Sequence, residues 1–239
     1  MSLIAILALG FFLGMRHATD ADHVVAVSTI VSRERSLRAA APIGVLWGLG
    51  HTVTILVVGG AIILFGIVIP PRVGLGMEFS VAIMLVLLGA LNVRSVLRDA
   101  ANIARAHRND RGHAHPHTHV HEDAGAAPPK RSMRPLFVGV VHGLAGSAAV
   151  ALLVLGAIRD AVWAVCYLLV FGVGTIAGML LITTALAMPI AAAARRFDRL
   201  HRTLAIVTGL ASIAFGIVLV YEIGFVHGLF TGNPHWTPQ

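Results

Sequence analysis

The sequence is poor in charge, in aromatic rings and in cysteine. Charged residues make up 12% of its 239 positions and aromatics 6%, and Cys166 is the one cysteine. A lone thiol within an apolar run excludes a disulfide framework inside the chain. So little charge, with 57% hydrophobic residues and a mean hydropathy of +0.84, excludes a water-soluble domain and describes an integral membrane protein. There is no Cys-x-x-Cys-His and no His-Glu-x-x-His, the sequence marks of attached haem and of a zinc hydrolase. The formal charge of +7 does not describe a nucleic-acid binder either, because the arginines cluster in short segments between apolar runs, where they report topology.

What is present is a set of long apolar runs, at about 3–32, 41–69, 79–97, 136–158, 161–189 and 204–225. Each is long enough to cross a bilayer as a helix, so the fold class expected is all-α, a polytopic membrane protein with six transmembrane helices. The start, 1–13, lacks a basic leading segment and reads as part of a retained helix rather than a signal peptide. Pro70-Pro71 is expected to close the second helix, and Pro189 the fifth. Residues 98–134 differ from the rest: they are polar, contain proline and are rich in histidine, which is the composition of a loop.

The basic residues alternate by side. All but Arg16, Arg72 and Arg159 of the 18 Lys and Arg residues fall at the ends of, or after, the first, third and fifth runs. Those three segments are expected to be cytoplasmic and both termini outside. A weak repeat runs beneath this. Leu13-Gly14-Met15-Arg16-His17 parallels Val138-Gly139-Val140-Val141-His142, Gly48-Leu49-Gly50-His51 parallels Gly172-Val173-Gly174-Thr175, and Gly89 parallels Gly216. The expected organisation is two inverted three-helix repeats, 1–98 and 136–239, joined by a cytoplasmic His-rich loop at 99–135.

Inside the first run stands Arg16-His17-Ala18-Thr19-Asp20-Ala21-Asp22-His23. Charges and imidazoles within a span are costly and mark function by default. On a straight helix His17, Asp20 and His23 share one face while Asp22 points away, so either Asp22 serves another partner or the helix is broken here. Arg16 is placed to pair with Asp20 at i,i+4. His51 in the second run and His142 in the fourth lie at depths comparable to His23, counted from the basic flanks, so one cluster can form. Imidazole with carboxylate is ligand chemistry for a divalent transition metal. In the loop, His107 is followed by the alternating His113, His115, His117, His119 and His121, a pattern suited to loose metal capture, buffering or sensing.

His17 to His23 resembles the signature of the nickel/cobalt transporter family: a histidine, four residues, then aspartate and histidine. Gly50-His51-Thr52-Val53 resembles that family's next histidine motif. The resemblance implies a permease, not an enzyme, with Ni2+ or Co2+ as transported substrate and no cofactor; the partners expected are the ion and membrane lipid, with no nucleic acid. It implies that His17, Asp20, Asp22, His23 and His51 serve transport, with His142 as a further candidate ligand. Typical members have eight helices and one helix ahead of the signature, whereas here the signature lies on the first. The stretch His142-Gly143-Leu144-Ala145-Gly146-Ser147 is closer to shorter relatives grouped with urease-accessory membrane proteins and nickel/cobalt exporters. The paired carboxylates favour tight capture and hence uptake, with efflux as the alternative. A membrane haem protein or metalloenzyme using the same histidines is the rival from another class.

The alternation of basic segments generates a direct test. In a Cys166→Ala background, an impermeant maleimide applied to intact cells is expected to label Thr231→Cys and to leave Ala126→Cys unlabelled; the reverse pattern overturns the orientation.

Overall fold

An apolar run surrounded by lipid must satisfy its backbone groups internally, and this chain does so with helices. The computed structural model describes residues 3–109, 133–158 and 160–236, and among them there is no strand. The helices are α1 (Leu3–His17), α2 (Ala21–Val31), α3 (Leu37–Phe65), α4 (Pro71–Asn109), α5 (Arg134–Ala157), α6 (Ala161–Arg196) and α7 (Asp198–Tyr221), with a π-helical turn at Glu222–Val226. Four of them, α3, α4, α6 and α7, are long and apolar enough to cross a membrane, and α1 with α2 supplies a fifth if the pair is one span. This is a multi-pass membrane protein. The His-rich segment with His113 to His121 lies outside the described residues, while His107 stands on the last turns of α4.

The first run is not one helix. It breaks after His17 and resumes at Ala21, with α1 and α2 bent by 55°. The backbone N–H groups of Thr19 and Asp20 donate to the carbonyls of Arg16 (2.8 Å) and His17 (3.1 Å), which tightens the last turn of α1. The Thr19 hydroxyl donates to the Arg16 carbonyl as well, at 2.6 Å. Asp20 is extended, at φ −60° and ψ 148°, and α2 starts on its carbonyl.

Other ends follow local chemistry. The Ser36 side chain caps α3 by accepting from the Ala39 N–H, and Gly66 closes that helix at φ 62°, in the left-handed region where glycine carries no Cβ penalty. The second run therefore ends before Pro70, and Pro71 opens α4, where a missing N–H costs nothing. At its other end α4 outruns its apolar stretch through Ala- and Arg-rich residues that favour helix. Likewise α6 continues through Pro189 to Arg196 instead of stopping there; an apolar span tolerates one missing N–H more readily than an open end. Asp160 caps α6 with acceptor contacts to the N–H groups of Val162 (2.9 Å) and Trp163 (3.1 Å).

The interior is built around Trp47, Ile55, Leu85, Leu168 and Met179, while the outward faces carry exposed Val57, Leu64, Leu91, Val173, Leu181 and Ile217. An apolar outside is what lipid contact requires. Helices meet along glycine seams. A Cβ at Gly14 of α1 would run into the Phe171 carbonyl of α6, and one at Gly174 of α6 into the Phe11 carbonyl. Gly50 of α3 lies against the Leu136 carbonyl of α5, and Gly139 of α5 against the Trp47 carbonyl. In the same way Gly89 and Gly209 bring α4 onto α7. Between lipid-facing helices, such backbone approach supplies the packing that water exclusion cannot. Hydroxyls add cross-helix bonds: Thr52 donates to the Gly172 carbonyl (3.1 Å), Thr54 to Val140 (3.1 Å) and Ser212 to Leu85 (2.8 Å). After the π turn the chain folds back, and the Trp236 indole donates to Glu78 on α4 at 2.8 Å.

These seams make two glycines separable from a third. Gly14→Ala and Gly174→Ala are each expected to destabilise the purified protein by about 1–3 kcal/mol, since backbone must move to admit the methyl. At Gly60 a Cβ meets nothing within 4 Å, so Gly60→Ala is expected to leave the melting temperature unchanged or raise it. Thermal melts in one detergent measure all three.

Candidate metal centre

The break in the first run decides which side chains meet. His17 is the last residue of α1, and its ring Nδ1 lies 2.8 Å from the Asp20 carboxylate across the break. The expected Arg16–Asp20 pair does not form: Asp20 turns back onto His17, and Arg16 is exposed with no ion pair among the described residues. Asp22 sits in the first turn of α2. Its Oδ1 accepts from the backbone N–H of His23 (2.8 Å) and faces the His23 ring Nδ1 at 2.9 Å. Its Oδ2 lies 2.8 Å from Nε2 of His142 on α5. From α3, His51 brings its Nε2 to 3.0 Å from Nε2 of His17.

Four imidazoles from four helices therefore converge. Ring centroids are 4.8 Å apart for His17 and His23, 5.0 Å for His17 and His51, 5.1 Å for His23 and His51, and 4.1 Å for His23 and His142. His23, His51 and His142 are buried, at 1%, 0% and 1% exposure, and each keeps one ring nitrogen without a partner among the described residues, which is costly in such surroundings. Among the described residues, two sets of three ligand atoms fall within 4.8 Å of one another: His17, His23 and His51, and Asp22, His23 and His142. His23 belongs to both. Asp20 belongs to neither; it holds His17 from behind, as carboxylates commonly hold metal-bound imidazoles.

The hydrogen bonds fix which nitrogens are free. A carboxylate takes the proton-bearing nitrogen, so Asp20 leaves Nε2 of His17 with its lone pair, and Asp22 does the same for Nε2 of His23. Nε2 of His23, Nδ1 of His51 and Nδ1 of His142 are buried without a hydrogen-bond partner among the described residues. Imidazole and carboxylate donors held this way suit a divalent transition ion.

Trp47 belongs to this site and sequence reasoning missed it. Its fully buried ring stacks on His23 at 6.3 Å and tilts over His142 at 5.6 Å, and its Nε1 also lacks a hydrogen-bond partner among the described residues. The signal was there: Trp47 stands at i,i+4 from His51, on the same helix face. Phe171 of α6 closes the His17 side at 5.7 Å.

Comparison with known proteins bears on this bundle. The family model described as the cytochrome c biogenesis protein transmembrane region matches residues 23–211. The urease accessory protein UreH of Bacillus sp. (strain TB-90) is 39% identical over 232 residues, covering 96% of this chain and 96% of that protein. No solved structure matches. The urease-accessory resemblance carried by the His142 stretch thus extends over nearly the full length, and the chain belongs to the urease accessory UreH proteins, on the scaffold of the cytochrome c biogenesis transmembrane family.

Proposed function

We propose that this protein is a permease that carries Ni2+ or Co2+ across the cytoplasmic membrane, inward, with the ion passing through the imidazole and carboxylate cluster. The observation that carries the reading is the convergence of His17, His23, His51, Asp22 and His142 from four helices in an otherwise apolar bundle. Neutral imidazoles replace hydration water, and Asp20 and Asp22 outweigh the charge of Arg16, so the pocket is mildly negative before an ion enters. Nε2 of His17 and Nε2 of His51 lie 3.0 Å apart in a hydrogen bond that an entering ion would replace. The urease accessory relative supports nickel as the substrate, and the inward direction rests on the paired carboxylates, which suit tight capture.

The haem reading lacks the Cys-x-x-Cys-His mark of attached haem, and the mixing of Asp22 among the imidazoles suits a labile cation better.

The architecture we assign is six crossings, counting α1 with α2 as one and α5 as another, in two inverted repeats over 1–98 and 136–239. The seams support it. Gly14 meets Phe171 as Gly139 meets Trp47, Gly174 meets Phe11 as Gly50 meets Leu136, and Gly89 meets Gly209 and Ile213 as Gly216 meets Ala82 and Val86. Each pair exchanges corresponding positions of the two halves, as a two-fold axis between them would. The repeats rocking about that axis would give alternating access, with both termini outside and the His-rich segment between α4 and α5 in the cytoplasm.

Uptake is tested by short-time accumulation of labelled nickel at submicromolar concentration in cells lacking other nickel carriers. Expression is expected to raise the initial rate, and deletion of 113–121 to lower retention but not that rate. Lowered cell nickel with resistance to millimolar metal would make the protein an exporter. Asp20→Asn is expected to weaken apparent affinity about 10–100-fold, as loss of a carboxylate behind a ligand histidine does, while His23→Ala abolishes flux.

A further inference from the structure

The two sets of three ligands share one residue, and that sharing has a mechanical meaning. We infer that the bundle holds two successive ion positions, one made by His17, His23 and His51 and the other by Asp22, His23 and His142, and that the ion is handed between them across the His23 ring. The inference rests on the transport reading above and specifies its path.

The geometry separates the two positions. An imidazole presents its nitrogens on different edges. With Nδ1 of His23 turned to Asp22 at 2.9 Å, Nε2 is the nitrogen left for the His17 and His51 side, and it is buried without a partner. His51 makes its cross-ring contact with His17, and His142 makes its own with Asp22. The rings of His51 and His142 are 6.1 Å apart, against 4.1 Å from His142 to His23. No single ion takes all five side chains without rebuilding these contacts.

The donor sets also differ in charge. The first is three neutral imidazoles. The second contains the Asp22 carboxylate, so a dication gains charge compensation on entering it. Transfer breaks the bond from the ion to Nε2 of His23 and forms one to Nδ1. The His23 ring changes tautomer as this happens, Nδ1 releasing its proton to water and Nε2 taking one up, and His142 does the same where Nε2 is its ligand atom; each ring stays neutral and Asp22 stays a carboxylate. A site with few ligands on each side suits an ion that must leave again, since one cage with every ligand would hold its cargo too firmly to release it.

Binding and flux should therefore come apart. Full-length protein in lipid nanodiscs is titrated with Co2+, read by visible ligand-field absorption, and the same preparations are reconstituted for Co2+ flux. Wild type is expected to bind Co2+ and transport it. His51→Ala and His142→Ala are each expected to retain Co2+, with different spectra because one keeps the carboxylate donor and the other keeps imidazoles only, and both lose flux. His23→Ala is expected to lose binding at both positions. Where an alanine variant does not fold, judged by its melting curve, His51→Asn or His142→Asn replaces it. Loss of binding in step with flux in both single variants means one shared site and overturns the hand-off while leaving transport intact. Wild-type flux in either variant places that set off the path and overturns it equally. Wild type that binds Co2+ at neither position overturns the transport reading itself.

Discussion

An apolar bundle gathers two carboxylates and four imidazoles because the span that carries four of the six is interrupted. Had α1 run straight into α2, Asp22 would face away from His17 and His23. The interruption at Ala18 to Asp20 turns the start of α2 by 55° and lays Asp22 between His23 and His142. Freed backbone groups are expensive in such surroundings. Here the tightened turn, the Thr19 hydroxyl and the Asp20 carbonyl take them up. Everything chemical about the site follows from that local repair.

The repair needs a frame stiff enough to hold it, and glycine supplies one. Gly178 of α6 lies against Met15 and Ala18 at the break itself, and Gly143 against His51 and Thr54. Backbone contact at these places leaves little freedom for the ring-bearing residues next to them. His51 stands one position from Gly50, and His142 one from Gly143, so the residues that set the helix spacing also aim the imidazoles. Packing and function are written in the same short motifs.

That coupling explains how far the sequence could be read. The cluster was legible because charge inside a span is costly, so Arg16 to His23 stood out, and His51 and His142 could be matched to it by depth. The helices were legible from the apolar runs, their ends less so. Helix α4 past Leu97 has little apolar signal to follow, and α6 runs on through a proline that argues for a stop; helix-favouring Ala and Arg decide the outcome in both places. The break left no mark of its own, since Ala18-Thr19-Asp20 contains neither glycine nor proline; sequence could pose the alternatives for Asp22 but not choose between them. The division of labour between Asp20, which holds His17, and Asp22, which joins His23 and His142, depends on that choice. Trp47 was hidden for another reason: a buried tryptophan in an apolar span reads as core until its neighbours are known.

The bend also makes α2 a lever with arms of unequal length. Asp22 and His23 ride next to the hinge, locked to each other through one carboxylate oxygen. The 11 residues of α2 reach about 16 Å beyond it. At the far end the Thr29 hydroxyl donates to the Thr208 carbonyl at 3.1 Å, and Ser32 accepts from Asn92 at 3.2 Å. A tilt of about 10° would sweep Ser32 through nearly 3 Å and shift Asp22 by less than about 1 Å. The bonds to Thr208 and Asn92 at the long end thus set the angle of α2, while Asp22 and His23 at the short end hardly move with it.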